Sequence, residues 1–235
     1  MRYIWILFNT VIWTTLLGFF GIVVSIFEPR RGRTLGYCAN LWAKLILFFG
    51  GVKYSVKGLE FLKSNGTYIF AGNHASGFDI LLAFAGLPYW VVSIAKIELK
   101  SIPVLGWVMR AAGHIFVDRG RQEQALKSLR IARESLVKMP RSVLLFPEGT
   151  RTKDGTLGQF KRVGLSLAIE TEIPIVPVAF VNTFEMLEKG SWKMKNHPIE
   201  LRLSKPIPPG TYTNETRREL ATHVRNEVQR LQKRT

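Results

Sequence analysis

Apolar residues fall along this chain in three patterns, and each predicts a different kind of element. From Ile4 to Phe27 (IWILFNTVIWTTLLGFFGIVVSIF) about 24 residues carry no charge, enough in a helix to cross a hydrocarbon layer of ~30 Å. A second apolar stretch, Tyr37 to Val52 (YCANLWAKLILFFGGV), is shorter and is interrupted by Lys44. It reads as the second arm of a hairpin whose turn is the basic EPRRGR. From Val52 onward, short apolar runs alternate with helical periodicity, the pattern of a layered α/β domain. The spacing predicts strands near 52–59, 67–72, 89–95, 114–118, 142–147, 174–181 and 199–204. Helices are predicted at about 77–86, 101–112, 122–138, 160–171 and 215–232. Within 122–138, Ala125, Leu126, Leu129, Ala132 and Leu136 share one stripe, with Glu123, Lys127, Arg130 and Glu134 opposite, so this helix packs on a sheet. The expected fold class is α/β: a central mixed, largely parallel sheet of about seven strands flanked by helices, with an N-terminal apolar two-helix membrane motif. Residues 1–52 form the hydrophobic anchor in this reading and 53–235 the α/β domain.

Composition narrows the partners. The 235 residues include 33 Lys and Arg against 17 acids, a formal net charge of +16, which favours a polyanionic partner or surface. Soluble nucleic-acid binders rarely carry a segment like 4–27, so an anionic membrane phospholipid surface is expected and nucleic acid is not. Arg30, Arg31 and Arg33 in the turn suit acidic headgroups, each basic residue contributing about 1 kcal/mol near such a surface. A secretory signal fits poorly: Arg2 alone forms the positive flank, the apolar stretch is too long, and no small-x-small cleavage site follows. Asn9, Thr10, Thr14, Thr15 and Ser25 make the first segment less apolar than a typical lone span. A monotopic hairpin dipping into one leaflet is therefore favoured over a single span, with the α/β domain on the cytoplasmic face. The single cysteine, Cys38, excludes an internal disulfide and reads as a packing residue. No metal cluster, repeat or glycine-rich nucleotide fingerprint emerges.

Candidate chemistry sits in three loops. The first is NHASGFD, residues 73 to 79, directly after a buried-strand pattern. Ser76 followed by Asp79 is S-x-x-D before an apolar run, so Ser76 is expected to N-cap a helix with Asp79 in its first turn. The same geometry puts His74 in the preceding turn, where the Asp79 carboxylate can fix its tautomer and stabilise an imidazolium. The second loop closes SVLLFPEGTR, residues 142 to 151, at the C-terminal end of a strand, the edge where open α/β sheets bind ligands. Gly149 permits a tight turn there, and Arg151 offers a planar fork of donors for phosphate. The third is GHIFVDR, residues 113 to 119, ending in Arg119. His114, His197 and His223 lie in a strand, a loop and a charged helix, and none is placed for catalysis.

Together these residues resemble the glycerolipid acyltransferases, and among them the 1-acylglycerol-3-phosphate acyltransferases. Asn73, His74, Ser76 and Asp79 match the family's Asn-His-x-Ser-x-x-Asp block. Gly113, Ile115 and Arg119 match the second block, Phe146 to Arg151 the third, and Ile175 to Val178 the fourth. Order and spacing agree over about residues 50 to 205, with Thr152 standing where many members have Ser. The resemblance implies that His74 takes the proton from an sn-2 hydroxyl, that Asp79 orients it, and that Asn73 and Ser76 support them. Arg119, Glu148, Gly149, Thr150 and Arg151 are the implied acceptor positions, the arginines on phosphate and Glu148 on a hydroxyl or an arginine. Lys96 and Lys161 are further candidates for phosphate or carrier contacts, and both could equally be solvated lysines. Lysophosphatidic acid is the implied acceptor, and acyl carrier protein or coenzyme A thioester the co-substrate, with no cofactor and no metal. Three alternatives stay open: a thioesterase or lipid hydrolase using water, glycerol 3-phosphate or another lysolipid as acceptor, and a non-catalytic basic protein that binds a membrane surface or nucleic acid.

Overall fold

In the computed structural model, residues 1–28, 32–118 and 122–233 are described. Arg30, Arg31 and Arg119, together with the side chains of Glu123, Ala125 and Leu126, lie outside the described residues. Seven strands form one sheet: β1 (Tyr54–Lys57), β2 (Ile69–Gly72), β3 (Val91–Lys96), β4 (Ile115–Val117), β5 (Ser142–Leu145), β6 (Ile175–Val181) and β7 (Ile199–Leu203), in the order β1-β7-β6-β2-β5-β3-β4. Strands β2, β5, β3, β4 and β6 run parallel. β7 is antiparallel to β6, and β1 is parallel to β7, so the sheet is mixed and largely parallel.

Alternation along the strands divides the core into two layers. Phe70, Leu144, Val176, Val178 and Phe180 point to one face and pack with Phe78, Leu82 and Phe84 of α3 (Phe78–Gly86). Ile69, Ala71, Val143, Leu145 and Ile175 point to the other. They are covered by Ala132 and Leu136 of α5 (Gln122–Lys138), Leu165 and Leu167 of α6 (Arg162–Thr171), and Leu220, Val224 and Val228 of α8 (Arg217–Lys233). The stripe read from α5 thus faces the sheet at Ala132 and Leu136, with Leu129 at its margin. Gly72 ends β2 where a Cβ would stand 2.6 Å from the Val178 carbonyl oxygen, so no side chain fits between β2 and β6 at the functional edge.

The apolar N-terminus forms two antiparallel helices, α1 (Arg2–Ser25) and α2 (Arg33–Phe49). Arg2 Nε donates to the Gly50 carbonyl at 2.9 Å and Trp5 Nε1 to that of Phe49 at 2.9 Å, while Trp42 Nε1 donates to Thr14 Oγ1 at 2.9 Å. Small residues allow close approach: Gly21 lies against Leu35, Gly36 against Trp90, and Gly18 against Val108 of α4 (Leu105–Ala111). Ile6, Ala43, Ile46 and Leu47 enter the same buried cluster as Phe70 and Leu82, so the hairpin and the sheet share one core. The polar side chains of α1 are satisfied within the helix: Thr10, Thr14 and Thr15 donate to the carbonyls of Ile6, Thr10 and Val11, and Asn9 to that of Trp5. They therefore bring no unmet donor into an apolar surrounding. The outer face of α1, including Leu7, Phe8, Val11, Phe19, Phe20 and Val23, is exposed. At ~1.5 Å per residue the helix is about 36 Å long. One helix, α1, is long and apolar enough to cross a membrane among the described residues.

His114 sits one residue before β4. Its Nδ1 accepts from the Ser93 N–H at 3.0 Å and pairs with the Ser93 hydroxyl at 2.8 Å. Burial, and then the positive charge of Arg141, lower its pKa to about 4. The unfolded chain takes this proton near pH 6.5, so between pH 6.5 and 4 it binds more protons than the folded chain. Stability is expected to fall on acidification through that window, with a slope approaching ~1.4 kcal/mol per pH unit. Urea midpoints at pH 7, 6 and 5 check this, with a flatter dependence expected for His114→Gln; identical slopes would assign the acid sensitivity elsewhere.

Candidate active site

The site is assembled where β2 and β5 end side by side. After Gly72, Asn73 continues the sheet with its side chain: Nδ2 donates to the Phe180 carbonyl at 2.9 Å and Oδ1 accepts from the Phe180 N–H at 2.8 Å. This clip turns the chain so that His74 faces the edge. Asp79, in the first turn of α3, is wholly buried. Its Oδ2 takes three hydrogen bonds, from the Ala75 N–H at 2.7 Å, from the Ser76 N–H at 2.8 Å, and in a contact of 2.8 Å with His74 Nδ1. A buried carboxylate is tolerable only with such donors. Holding Nδ1 as the N–H leaves Nε2 as the lone-pair nitrogen, and among the described residues no group bonds it.

Ser76 departs from the expected N-cap. The cap residue is Gly77, without a side-chain cap bond, and the Ser76 hydroxyl donates instead to the Leu187 carbonyl at 2.7 Å. Asp79 reaches back to the two amides that precede the helix, so a serine cap is displaced by an aspartate working from inside the first turn.

The second loop locks onto the first. Phe146 stacks on the His74 ring at 4.0 Å between centroids and 15° between planes. Glu148 is buried, its Oε1 accepting from the His74 N–H at 2.6 Å and its Oε2 from the Gly158 N–H at 3.0 Å. Burial pushes this carboxyl above its ordinary range, opposed by those two amides. The Thr152 N–H then donates to the His74 carbonyl at 2.9 Å. Both backbone groups of His74 are therefore held by residues of the 146–152 loop. Gly149 sits at φ 78°, a conformation glycine adopts freely. Lys161, at the start of α6, donates its N–H to the Pro147 carbonyl at 2.9 Å and lays its Nζ 3.1 Å from where a Gly149 Cβ would stand.

The remaining sequence candidates are placed as follows. Thr150 Oγ1 and the Arg151 carbonyl both accept from Lys189 Nζ, and the Arg151 guanidinium has no ion-pair partner among the described residues. Lys96 ends β3 at the same edge, two strands from β2, and pairs with Glu98 at 2.7 Å on the exposed surface. Arg119 lies outside the described residues. No cluster of His, Cys, Asp and Glu able to hold a metal is found among the described residues. A half-enclosed imidazole oriented by a buried carboxylate, with cationic side chains around an adjoining turn, can take a proton from a hydroxyl whose molecule also carries an anion.

Comparison with known proteins bears on this geometry. The family model described as Acyltransferase matches residues 53–181, which contains both loops. The chain belongs to the acyltransferase family. A 1-acyl-sn-glycerol-3-phosphate acyltransferase of Saccharomyces cerevisiae is 32% identical over 219 residues, covering 90% of this chain and 71% of that protein. One from Cocos nucifera is 29% identical over 207 residues, 88% of this chain. The chain spans 65% of the length of that plant relative. The crystal structure of the 1-acyl-sn-glycerophosphate (LPA) acyltransferase of Thermotoga maritima superposes with a TM-score of 0.78 at 27% identity, covering 100% of this chain and 99% of that one.

Within this candidate site two features were not legible in the sequence. Phe146 belonged to a recognised motif, but its stacking on His74 requires β2 and β5 to be neighbours. Lys189 lies in a segment without periodicity or motif. The role of Glu148 as a clamp is testable by Glu148→Gln, which always turns one amide donor toward another. A stability loss of about 1–3 kcal/mol is expected, seen as a Tm several degrees lower, together with reduced activity. An unchanged Tm would show that the clamp does not hold the loops.

Proposed function

We propose that this chain transfers the acyl group of an acyl thioester to the sn-2 hydroxyl of 1-acyl-sn-glycerol 3-phosphate, giving phosphatidate. The observation that carries the reading is the His74–Asp79 pair, 2.8 Å apart with the carboxylate wholly buried, beside the cationic turn 148–151. His74 Nε2 takes the hydroxyl proton, the freed oxygen attacks the thioester carbonyl, and the tetrahedral intermediate expels the thiolate. The developing imidazolium is stabilised by Asp79. A thiol of pKa near 8.5 leaves without strong protonation, so no covalent acyl-enzyme is required. The donor is an acyl group on coenzyme A or on acyl carrier protein. The relatives' names support lysophosphatidate as the acceptor.

The hairpin seats this site at an anionic lipid surface from the cytoplasmic side, in one leaflet. In support, α1 packs along α2 and against Val108 of α4, and its outer apolar face is exposed, as are Trp107 of α4 and Ile102. The test is a substrate panel with the purified full chain: lysophosphatidate, glycerol 3-phosphate, monoacylglycerol and water, with either thioester as donor. Phosphatidate is the expected product. Free fatty acid as the main product would replace transfer by hydrolysis, and equal use of glycerol 3-phosphate would move the acceptor.

A further inference from the structure

Residues 187–196, between the short helix α7 (Thr183–Met186) and β7, lie beyond the region matched by the family model. They run as a strap between the active loops and the N-terminal helix. At one end the Leu187 carbonyl accepts from Ser76 Oγ at 2.7 Å, tying the strap to the loop of His74. At the other, Asn196 Oδ1 accepts from Arg2 Nη1 at 3.2 Å, while the Lys195 N–H donates back to the Met186 carbonyl at 2.9 Å and closes the segment into a loop. Between these fastenings Lys189 turns its ammonium onto the loop that follows β5. Its Nζ donates to Thr150 Oγ1 at 3.1 Å and to the Arg151 carbonyl at 3.3 Å.

Both of those acceptors are neutral oxygens. Among the described residues no carboxylate lies within ion-pair distance of Lys189, of Lys161 or of Arg151, whereas Lys195 in the same strap is neutralised by Glu188 at 3.3 Å. An ammonium has three donors, and Lys189 uses two of them to fix its position on the turn. Lys161 Nζ reaches the same turn over Gly149. Two ammonium groups from separate segments, without carboxylate partners among the described residues, therefore meet on the turn 149–151 that also carries Arg151, an arrangement suited to a phosphomonoester.

We infer that Lys189 is a specificity-determining residue of the acceptor site, holding the phosphate of the lysolipid against the 148–151 turn together with Arg151 and Lys161. This rests on the proposed phosphorylated acceptor and adds a cation that no motif supplies. The same segment is fastened to the start of α1 through Arg2 and Asn196.

The experiment compares the full-length wild type with Lys189→Met and Lys189→Arg, using lysophosphatidate and monoacylglycerol as alternative acceptors in the same detergent. Lys189→Met is expected to raise the lysophosphatidate KM by about tenfold while kcat changes by less than about twofold and the monoacylglycerol KM is unmoved. Lys189→Arg should recover most of the loss. A strap that served only to order the loop would raise KM for both acceptors or lower kcat on both, and either result overturns the assignment, as does an unchanged lysophosphatidate KM. A wild type with no preference for the phosphorylated acceptor would instead overturn the acceptor reading on which the inference stands.

Discussion

Replacing His74 by alanine is expected to lower kcat by about 10²–10⁴-fold, the usual contribution of a positioned general base, with the fold retained. The chemical loss is large because no second base stands at the same point: Asp79 is buried behind the imidazole and Glu148 is occupied by two amides. The structural loss is small. The bonds from the His74 N–H to Glu148 and from the Thr152 N–H to the His74 carbonyl belong to the backbone and survive the substitution. What disappears is the ring stacked on Phe146 at 4.0 Å, on a half-enclosed surface where water can enter. Single-turnover and steady-state rates on the purified variant, beside its circular dichroism and Tm, check this. Near-normal turnover in a folded His74→Ala protein would remove the proposed mechanism.

Asp79→Asn is expected to be comparably damaging, up to about 10⁴-fold in kcat, by analogy with loss of the charge behind other catalytic imidazoles. The geometry explains why shape alone does not rescue it. Oδ2 carries all three hydrogen bonds while Oδ1 is buried without a partner. An asparagine can therefore keep its oxygen toward the Ala75 and Ser76 amides and place its NH₂ where Oδ1 stood, so the loop and the start of α3 are preserved. The negative charge beside Nδ1 is lost, and with it the stabilisation of the imidazolium formed during proton transfer. The expected pattern is a fall in kcat with an almost unchanged KM for the acceptor. A variant with normal kcat would leave Asp79 only its role in joining α3 to the preceding turn, and a fall in Tm with kcat intact would point the same way.

Several parts of this protein were determined by local pattern, because local periodicity is what secondary structure reads. Among the described residues, the seven predicted strands and five predicted helices of the α/β domain lie within a few residues of the positions read from apolar spacing, while the short α7 was not foreseen. The predicted 101–112 helix is shorter, beginning at Leu105 after Val104 turns at φ 60°. His74 and Asp79 were legible as a pair because five residues across a strand-to-helix turn allow two side chains to meet, and the matching loops at 113–119 and 142–151 supported that reading. Ser76 was misread for the converse reason: serine before a helix is a local signal, and the nearby Leu187 carbonyl that claims its hydroxyl lies 111 residues away in the chain.

Contacts between distant segments were decided only by tertiary structure. The β2–β5 pairing stacks Phe146 on His74 and lets Glu148 take the His74 amide, 74 residues distant. The packing of Gly18 on Val108 and of Gly36 on Trp90 makes the apolar hairpin part of the α/β core, where apolar spacing alone indicated only an anchor. Lys189 carries no sequence signal at all, since a lysine in an irregular loop is indistinguishable from any solvated one until the chain brings it against Thr150 and Arg151. Sequence spacing specifies which residues share a face of one element. Which faces meet depends on strand order and on the burial of the whole apolar surface, and that is settled over the full chain.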